Sequence, residues 1–316
     1  MALAASRPGD PARPGDPARP GDPADPAIAA RAAVSAAAAL GVTGVEPVIL
    51  ADGANVIVHL TPSPLVAKVP ASTAAVRPGI GAWLARELDL ARFLAAAGAP
   101  VMTPSAEVPA TVHHADGHAM SFWTYLKPDD AGPPDEAMIG SLLRDLHAAL
   151  RGYPAPLPPL APLADIPAFL ARRPASRISQ TLVSADDAAA LTETYSRLTE
   201  ELAAASAGAP AQTLHGDAGA GNLMATGGRW VWHDFEDACS GPVAWDLAAT
   251  TASPRFDRAR ILAGYDGPGD PAGPELLRAC EQLRRLHLTI WYSLYAERLP
   301  GCRQRAAELL ASWRTR

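Results

Sequence analysis

The sequence predicts an α+β protein of two lobes, a small strand-rich lobe followed by a larger and mostly helical one. Two observations support this prediction. Between residues 45 and 126, five short apolar and β-branched runs are interrupted by a single long helical segment. Beyond Pro128 helical periodicity dominates, and one strand pair near residues 223–233 breaks it. With 316 residues, the chain is long enough to give each lobe its own core.

The composition is that of a globular protein, with 48% hydrophobic and 19% charged residues. No uncharged apolar run approaches the roughly 18 residues that cross a bilayer, so we expect no membrane partner. The net charge of −6 and the lack of a basic cluster argue against nucleic acid, and they are compatible with a cationic ligand. The three cysteines have neither metal-binding nor disulfide spacing, which favours a reducing, cytoplasmic location.

Residues 1–26 are predicted to be a disordered tail. Three copies of Arg-Pro-Gly-Asp-Pro-Ala occupy residues 7–24. Proline and glycine without core-forming side chains do not fold alone, and a glycine period of six excludes a collagen helix. Order is expected to begin near Ile28 with an alanine-rich helix. The small lobe then spans residues 27–126 and the larger lobe spans residues 127–316.

The small lobe is expected to contain one antiparallel sheet and one main helix. The predicted strands are residues 45–50, 55–60, 65–69, 110–114 and 118–126. Asp52-Gly53 is expected to turn the first strand into the second. The helix is predicted over residues 81–97, where Gly98 and Pro100 end it.

The larger lobe is expected to be helical around one hairpin. Helices are predicted over residues 135–150, 186–205 and 274–299, with another beginning at residue 244 and a proline-rich connector at 152–162. Gly227-Gly228 reads as a two-residue turn between two short strands. This turn would place Met224 opposite Val231 and Asn222 opposite His233.

Asn222 and Asp234 would then meet at the open end of the hairpin, because Asp234 follows His233 directly. An amide oxygen and a carboxylate that leave room for water and phosphate oxygens are typical ligands of Mg²⁺. The pattern therefore predicts a magnesium site.

Asp217 precedes Asn222 on a glycine-rich loop and can face the same cleft. A carboxylate beside a metal-bound phosphate can accept the proton of an attacking hydroxyl, which is worth roughly 10²–10⁴ in rate. The alternative interpretation is an Asp-Gly turn beside a satisfied structural histidine. The combination of Asp217 with Asn222 and Asp234 favours the catalytic interpretation.

Lys68 and Glu87 give an independent indication. Only two of the 27 basic residues are lysines, and Lys68 stands in an apolar strand. Glu87 shares an apolar helix face with Trp83 and Leu94, where an unpaired carboxylate would be costly to bury. Lys68 is the expected partner, held by Glu87 against the α- and β-phosphates of a nucleotide. The alternative is a partly solvated glutamate and a lysine that reaches the surface.

Two further segments are candidate nucleotide contacts. Gly53 and Asn55 lie at the tip of the first hairpin, which would cover the phosphates as a flap, although any hairpin can carry such a glycine. Thr124, Tyr125 and Leu126 form the expected hinge between the lobes and can offer backbone groups to a base. An ordinary interlobe core segment would have the same character.

In combination, these residues resemble the aminoglycoside phosphotransferase family, part of the wider protein-kinase-like fold. The motifs concerned are His215-Gly216-Asp217 with Asn222, Asp234-Phe235-Glu236, Gly241-Pro242 with Asp246-Leu247-Ala248, and Arg144-Asp145-Leu146-His147. The resemblance implies a bilobal fold, ATP and Mg²⁺ as cofactors with GTP still open, a catalytic Asp217, and Asn222 and Asp234 as metal ligands. It implies structural support by Asp246, and His215 is expected to anchor the loop. His233, where the family usually has an aliphatic residue, and a flap with one glycine are departures.

The leading hypothesis is an ATP-dependent O-phosphotransferase for a small hydroxylated molecule, with an aminoglycoside or another antibiotic as the first candidate. Asp237, Asp129 and Asp130 are candidate contacts for a cationic acceptor, and a solvated surface explains them equally well. The alternatives are a metabolic kinase for choline, a sugar or a homoserine-like compound, and a nucleotide-binding module without turnover. Both a monomer and a dimer remain open.

Overall fold

The computed structural model describes residues 25–171, 182–265 and 273–314. The repeats predicted to be disordered lie outside the described residues. Helix α1 (Pro26–Ala39) begins two residues before the expected start at Ile28. The Asp25 carboxylate caps this helix by accepting from the backbone N–H groups of Ala27 and Ile28, and Pro26 suits the first helical turn.

The five-stranded antiparallel sheet is confirmed. Its strands are β1 (Glu46–Asp52), β2 (Asn55–Thr61), β3 (Leu65–Pro70), β4 (His113–Ala115) and β5 (His118–Thr124), in the order β1-β2-β3-β5-β4. Strand β4 is shorter than expected, because Thr111 donates to the carbonyl of Pro109 and turns the chain before the strand starts. Strands β1 and β4 are the two edges of the sheet.

Helices cover both faces of this sheet. The alanine face of α1 packs with inward residues of β2 and β3, such as Val58 and Ala67, in one buried cluster. The other face carries Lys68 and meets α3 (Ile80–Ala96), where Leu88 and Ala91 pack with Trp123. A short helix, α2 (Ser72–Val76), joins β3 to α3 and was not predicted, because five residues are too few to show helical periodicity.

The C-terminal part is mostly helical. Its helices are α4 (Glu136–Leu150), α5 (Asp165–Ala171), α6 (Ala185–Ala205), α7 (Ala244–Thr250), α8 (Arg258–Tyr265), α9 (Pro274–Arg298) and α10 (Cys302–Arg314). Helix α9 supplies many buried residues to the lobe's core, which explains its length of 25 residues. The short helices α5 and α8 and the terminal helix α10 were not predicted, and tertiary packing stabilises such short segments more than propensity does.

The hairpin at the centre of this lobe has the predicted register. Strands β7 (Leu223–Thr226) and β8 (Arg229–Trp232) place Met224 opposite Val231. Both turn glycines, Gly227 and Gly228, have positive φ angles of 57° and 75°, as a tight two-residue hairpin turn requires. A second pair, β6 (Gln212–Leu214) with β9 (Cys239–Gly241), flanks the hairpin and was not predicted. In the described ranges no helix is both long and apolar enough to cross a bilayer.

Candidate active site

The loop between β6 and β7 carries Asp217, and Asp246 holds this loop in place. Buried Asp246, near the start of α7, accepts from the backbone N–H groups of His215 at 2.8 Å and Gly216 at 2.9 Å. The Nε2 of His147, on α4, lies 3.0 Å from the same carboxylate. The motif residues Asp246 and His147 therefore form one brace behind the loop.

His215 is fully buried and its imidazole bonds backbone on both sides, as predicted for a loop anchor. The N–H of Asp217 donates to Nδ1 at 3.3 Å, and Nε2 lies 3.1 Å from the carbonyl of His233. His215 thereby connects the loop to the end of β8.

Gly216 is essential to the shape of this loop. Its φ is +87°, and a Cβ at this position would lie 1.8 Å from the carbonyl oxygen of Asp237. Any larger residue would push the loop away from the neighbouring segment. Asp217 is thus presented on a backbone that only glycine permits.

Asp217 is held by two neighbours. The amide Nδ2 of Asn222 donates to its carbonyl at 2.7 Å and to its carboxylate at 3.2 Å. The buried guanidinium of Arg284, on α9, forms an ion pair with the same carboxylate and donates to the carbonyl of Gly216 at 3.0 Å. Burial raises the pKa of Asp217, but the charge and hydrogen bond of Arg284 outweigh this effect and lower the pKa below its usual range.

Lys68 lies at the centre of a buried charged cluster. Its Nζ bonds both carboxylate oxygens of Glu87, at 2.9 and 2.8 Å, so the predicted pair is present. The same ammonium lies 2.5 Å from Asp234 and 3.0 Å from Glu236. Three carboxylates therefore surround one ammonium.

Burial and the neighbouring charges together set the pKa values of this cluster. Burial raises the pKa of Glu87 to about 8, against the opposing effect of Lys68. Burial also disfavours the Asp234 carboxylate, but the Lys68 ammonium overcomes this and brings its pKa to about 2. Burial lowers the pKa of Lys68, yet its three carboxylate neighbours hold it well above its usual range. Asp234 thus stays ionised near neutral pH.

The oxygen atoms of this cluster form a candidate cation site. Glu87, Asp234 and Glu236 each offer a carboxylate oxygen, and these atoms lie within 4.8 Å of one another. The N–H of His233 donates to the carbonyl of Asn222 at 3.0 Å, so the hairpin ends as predicted. The Nδ2 of Asn222 is used by Asp217, which leaves its side-chain oxygen for another partner. Hard oxygen ligands of this type fit Mg²⁺.

Arg77, which directly follows α2, ties the N-terminal and C-terminal lobes together. Its guanidinium is 3% exposed and bonds Asp165 with two nitrogens, at 3.0 and 2.7 Å. It also pairs with Glu236 at 2.7 Å and Asp237 at 2.5 Å. Asn55 donates to the other oxygen of Glu236 at 2.8 Å, so Glu236 is held from the N-terminal lobe on both sides. Asp237, a predicted acceptor contact, is engaged by an arginine.

Two of the three backbone N–H groups in the predicted hinge already have protein partners. The N–H groups of Thr124 and Tyr125 donate to the carbonyls of Thr103 and Pro64, at 3.1 and 2.7 Å. In the described part of the chain, only the N–H of Leu126 among these three has no partner. The Tyr125 ring stacks on His59, with ring centres 3.9 Å apart.

One cavity joins these groups. It has a volume of about 190 Å³ and is lined by Asp217, Asp234, Glu236 and Asp237 together with residues of α9. Asn222 does not line the cavity itself but donates a hydrogen bond to Asp217, which does. The flap residue Asn55 also reaches this cavity.

The other two predicted acceptor contacts lie elsewhere. The carboxylate of Asp129 accepts from the N–H groups of Gly227 and Gly228, at 3.1 and 2.8 Å. It therefore caps the hairpin turn, at the opposite end of the hairpin from Asn222. Asp130 is exposed beside it. Neither lines the cavity beside Asp217, because the chain leaves the hinge along the outer end of β7.

A family model described as "APH: Phosphotransferase enzyme family" matches residues 50–280, well over half of the chain. The chain belongs to this family. It is therefore a phosphotransferase of the small-molecule kinase type, and the resemblance drawn from the motifs is confirmed. No curated protein sequence matches the phosphotransferase.

The phosphotransferase is similar in structure to amicoumacin kinase hAmiN, solved with AMP-PNP, Ca²⁺ and Ami. The identity is 15%, the TM-score is 0.62, and the match covers 84% of this chain and 87% of that chain. A microcompartment-associated aminopropanol kinase matches with a TM-score of 0.57 and 18% identity, over 85% and 90% of the two chains.

Aminoglycoside phosphotransferase APH(3'')-Id from Streptomyces rimosus is also similar to this phosphotransferase. It matches with a TM-score of 0.53 and 17% identity, over 79% of this chain and 95% of that chain. These likenesses confirm the predicted bilobal, protein-kinase-like fold.

Three charged residues of this site were not predicted, namely Arg77, Glu236 and Arg284. Arg284, His287 and Trp291 share one face of α9, and their spacing was a signal that could have found Arg284. Glu236 was quoted in a motif but received no role. Nothing in the sequence singles out Arg77, whose partners lie 88 to 160 residues away.

Proposed function

We propose that this phosphotransferase moves the γ-phosphate of ATP to a hydroxyl group of a small molecule. The observation that carries the proposal is one cavity lined by both Asp217 and Asp234, with Lys68 bonded to Asp234. A proton acceptor, an ammonium and oxygen ligands for a cation are the groups that phosphoryl transfer requires.

The nucleotide would lie between the sheet and the C-terminal lobe. The Lys68 ammonium is held in place by Glu87 and also donates to Asp234. The phosphates would be held beside Asp234. The N–H of Leu126 is available to the edge of the base. Gly53 and Asn55 on the first hairpin would cover the phosphates. GTP in place of ATP would require the same phosphate contacts.

Mg²⁺ would be held by Asp234 and the side-chain oxygen of Asn222, and the position of Glu236 makes it a further candidate ligand. When bound, the ion would neutralise charge on the transferred phosphate. The surrounding charges support this assignment, because five carboxylates share the two cations Lys68 and Arg77.

Asp217 would orient the acceptor hydroxyl and take its proton onto the carboxylate. Arg284 and Asn222 fix that carboxylate from two sides, so the hydroxyl meets it in one orientation. The lowered pKa makes Asp217 a weak base. A weak base is adequate where the transition state is loose and the hydroxyl loses its proton late.

The acceptor pocket would be anionic and partly aromatic. Four carboxylates line it against the two guanidinium groups of Arg77 and Arg284, and Trp291, Tyr292 and Tyr295 form one wall. This favours an acceptor with an amino group, as aminoglycosides have. A compact amino alcohol is the second candidate, because about 190 Å³ is below the roughly 300–1,000 Å³ of ordinary ligand pockets.

The test replaces Asp217 with Ala and follows phosphate transfer and AMP-PNP binding separately. Transfer should be lost while nucleotide binding persists, because Asp217 contacts the acceptor side. The acceptor is then sought by ATP consumption with aminoglycosides, macrolides, amino alcohols, choline and sugars. Full activity in Asp217→Ala contradicts the assignment. Nucleotide binding without transfer to any acceptor or to water favours a module without turnover.

A further inference from the structure

A second cleft opens along α3 and shares no lining residue with the cavity beside Asp217, which we call the transfer cavity. Its volume is about 840 Å³. It lies between α3, the proline-rich connector after α4, the start of α5, and α6. Its walls are mainly apolar and aromatic, and include Trp83, Tyr153, Leu157 and Tyr195. A cleft of this size is in the range that holds a small ligand.

Two arginines flank the indole of Trp83, and their surroundings differ. Arg77 lies 4.0 Å from the ring centre and Arg86 lies 4.6 Å from it. Arg77 faces the transfer cavity, where three carboxylates neutralise it. Arg86 faces the second cleft. The charge of Arg77 is therefore fully compensated, whereas the charge of Arg86 is not.

Arg86 has no hydrogen-bond or ion-pair partner within the described ranges, and its Nε is buried with none. Among the described residues of the cleft wall the one carboxylate is Asp89, which is already engaged by the Tyr153 hydroxyl at 2.7 Å and by Arg92 at 3.2 Å. Burial, and then the charge of Arg77, lower the pKa of Arg86. The terminal nitrogens of Arg86 are not shielded in this way, and an anion in the cleft could accept hydrogen bonds from them.

We propose that this cleft is an accessory binding site for a small planar aromatic carboxylate. The carboxylate would accept from Arg86, whose forked guanidinium matches its two oxygens. The aromatic body would lie against Trp83, Tyr195 and the proline-rich wall, which offer apolar faces. A cationic ligand does not fit beside an uncompensated guanidinium. This site does not depend on the proposed transfer reaction.

The experiment titrates the full chain with 2-naphthoate by calorimetry and compares 2-naphthylmethanol, its uncharged analogue. Arg86→Gln removes the guanidinium, and Arg305→Gln, at an exposed pair on α10 away from the cleft, is its matched control. Tyr195→Ala removes one wall of the cleft, and Tyr292→Ala makes the equivalent change in the transfer cavity. Each variant is first checked for cooperative unfolding.

Arg86→Gln should weaken naphthoate binding about tenfold or more, because a hydrogen-bonded charge is lost. Tyr195→Ala should also weaken it, whereas binding to Arg305→Gln and Tyr292→Ala should stay within about twofold of binding to the native chain. Equal binding of the uncharged analogue, or unchanged binding in Arg86→Gln, overturns the proposal. A loss of naphthoate binding in Tyr292→Ala but not in Tyr195→Ala also overturns the proposal. If Arg86→Gln does not fold, the analogue and the two tyrosine variants decide.

Discussion

Arg298, the last residue of α9, forms an ion pair with Asp52 at the tip of the first hairpin. The same guanidinium donates to the carbonyl of Gly53 at 2.9 Å. These contacts join the end of a C-terminal helix to the flap that we propose covers the phosphates. The flap carries a single glycine, and Arg298 supplies the restraint that fixes its tip over the cavity.

Arg298→Gln should therefore loosen the flap. We expect a higher KM for ATP and faster release of the nucleotide, with a smaller effect on kcat, because Arg298 does not line the transfer cavity. Stopped-flow release of a fluorescent ATP analogue measures the effect. Asp52→Asn should speed nucleotide release by a similar amount, and the double variant should release the nucleotide no faster than either single variant. Arg305→Gln, at an exposed pair on α10, is the control. Additive effects would show that the contact is not the cause.

Arg77→Met should destabilise the protein by about 3–5 kcal/mol, because it leaves buried carboxylates without their partner. Urea unfolding followed by circular dichroism measures this difference. Arg92→Met removes an exposed pair with Asp89 and should cost about 0–1 kcal/mol. Similar values for the two variants would mean that the buried cluster contributes little.

Gly216→Ala should abolish phosphate transfer. The added Cβ would meet the carbonyl of Asp237 at 1.8 Å, so the loop that carries Asp217 must move. Gly219→Ala, on the same loop, has nothing within 4 Å of its Cβ and should keep most of the activity. Steady-state kinetics on both variants test this. Equal activities would contradict the proposed role of the loop geometry.

We expect the ion pair between Asp187 and Arg314 to make a pH-dependent contribution to stability. The hydrogen bond from Arg314 is the main cause that lowers the pKa of this carboxyl well below its usual range. A lowered folded-state pKa stabilises the protein above the unfolded value near 3.9, and the effect is lost as the pH falls. Asp187→Asn should thus be less stable than the native chain at pH 7. The difference should narrow as the pH falls from about 5 towards 2, and urea unfolding across that range measures it.

If the difference between Asp187→Asn and the native chain were the same at all these pH values, the ionised carboxylate would not be its source. Raising the salt concentration at pH 7 provides a second check. Arg314 is 56% exposed, so salt should screen its attraction and reduce the difference.

Local pattern predicted the hairpin and its partners correctly. Gly227-Gly228 determines the register, so the positions of Met224, Val231 and Asn222 follow from the turn alone. The Lys68–Glu87 pair was also predicted, because a charged residue on an apolar face of each element requires a partner. Element starts were less accurate, as at α1, where the Asp25 cap and Pro26 move the start of the helix.

The sequence by itself determined the two-lobe architecture, the hairpin and the residues that we propose for phosphate transfer, because these depend on short-range periodicity, turn chemistry and fixed spacing. Only the tertiary structure decided which charges surround them. Arg77 reaches Asp165, Arg284 reaches Asp217 and Arg298 reaches Asp52, each across dozens of residues. Electrostatic contacts of this kind depend on the distance between atoms in space, which the packing of α9 and the lobes sets and sequence spacing does not.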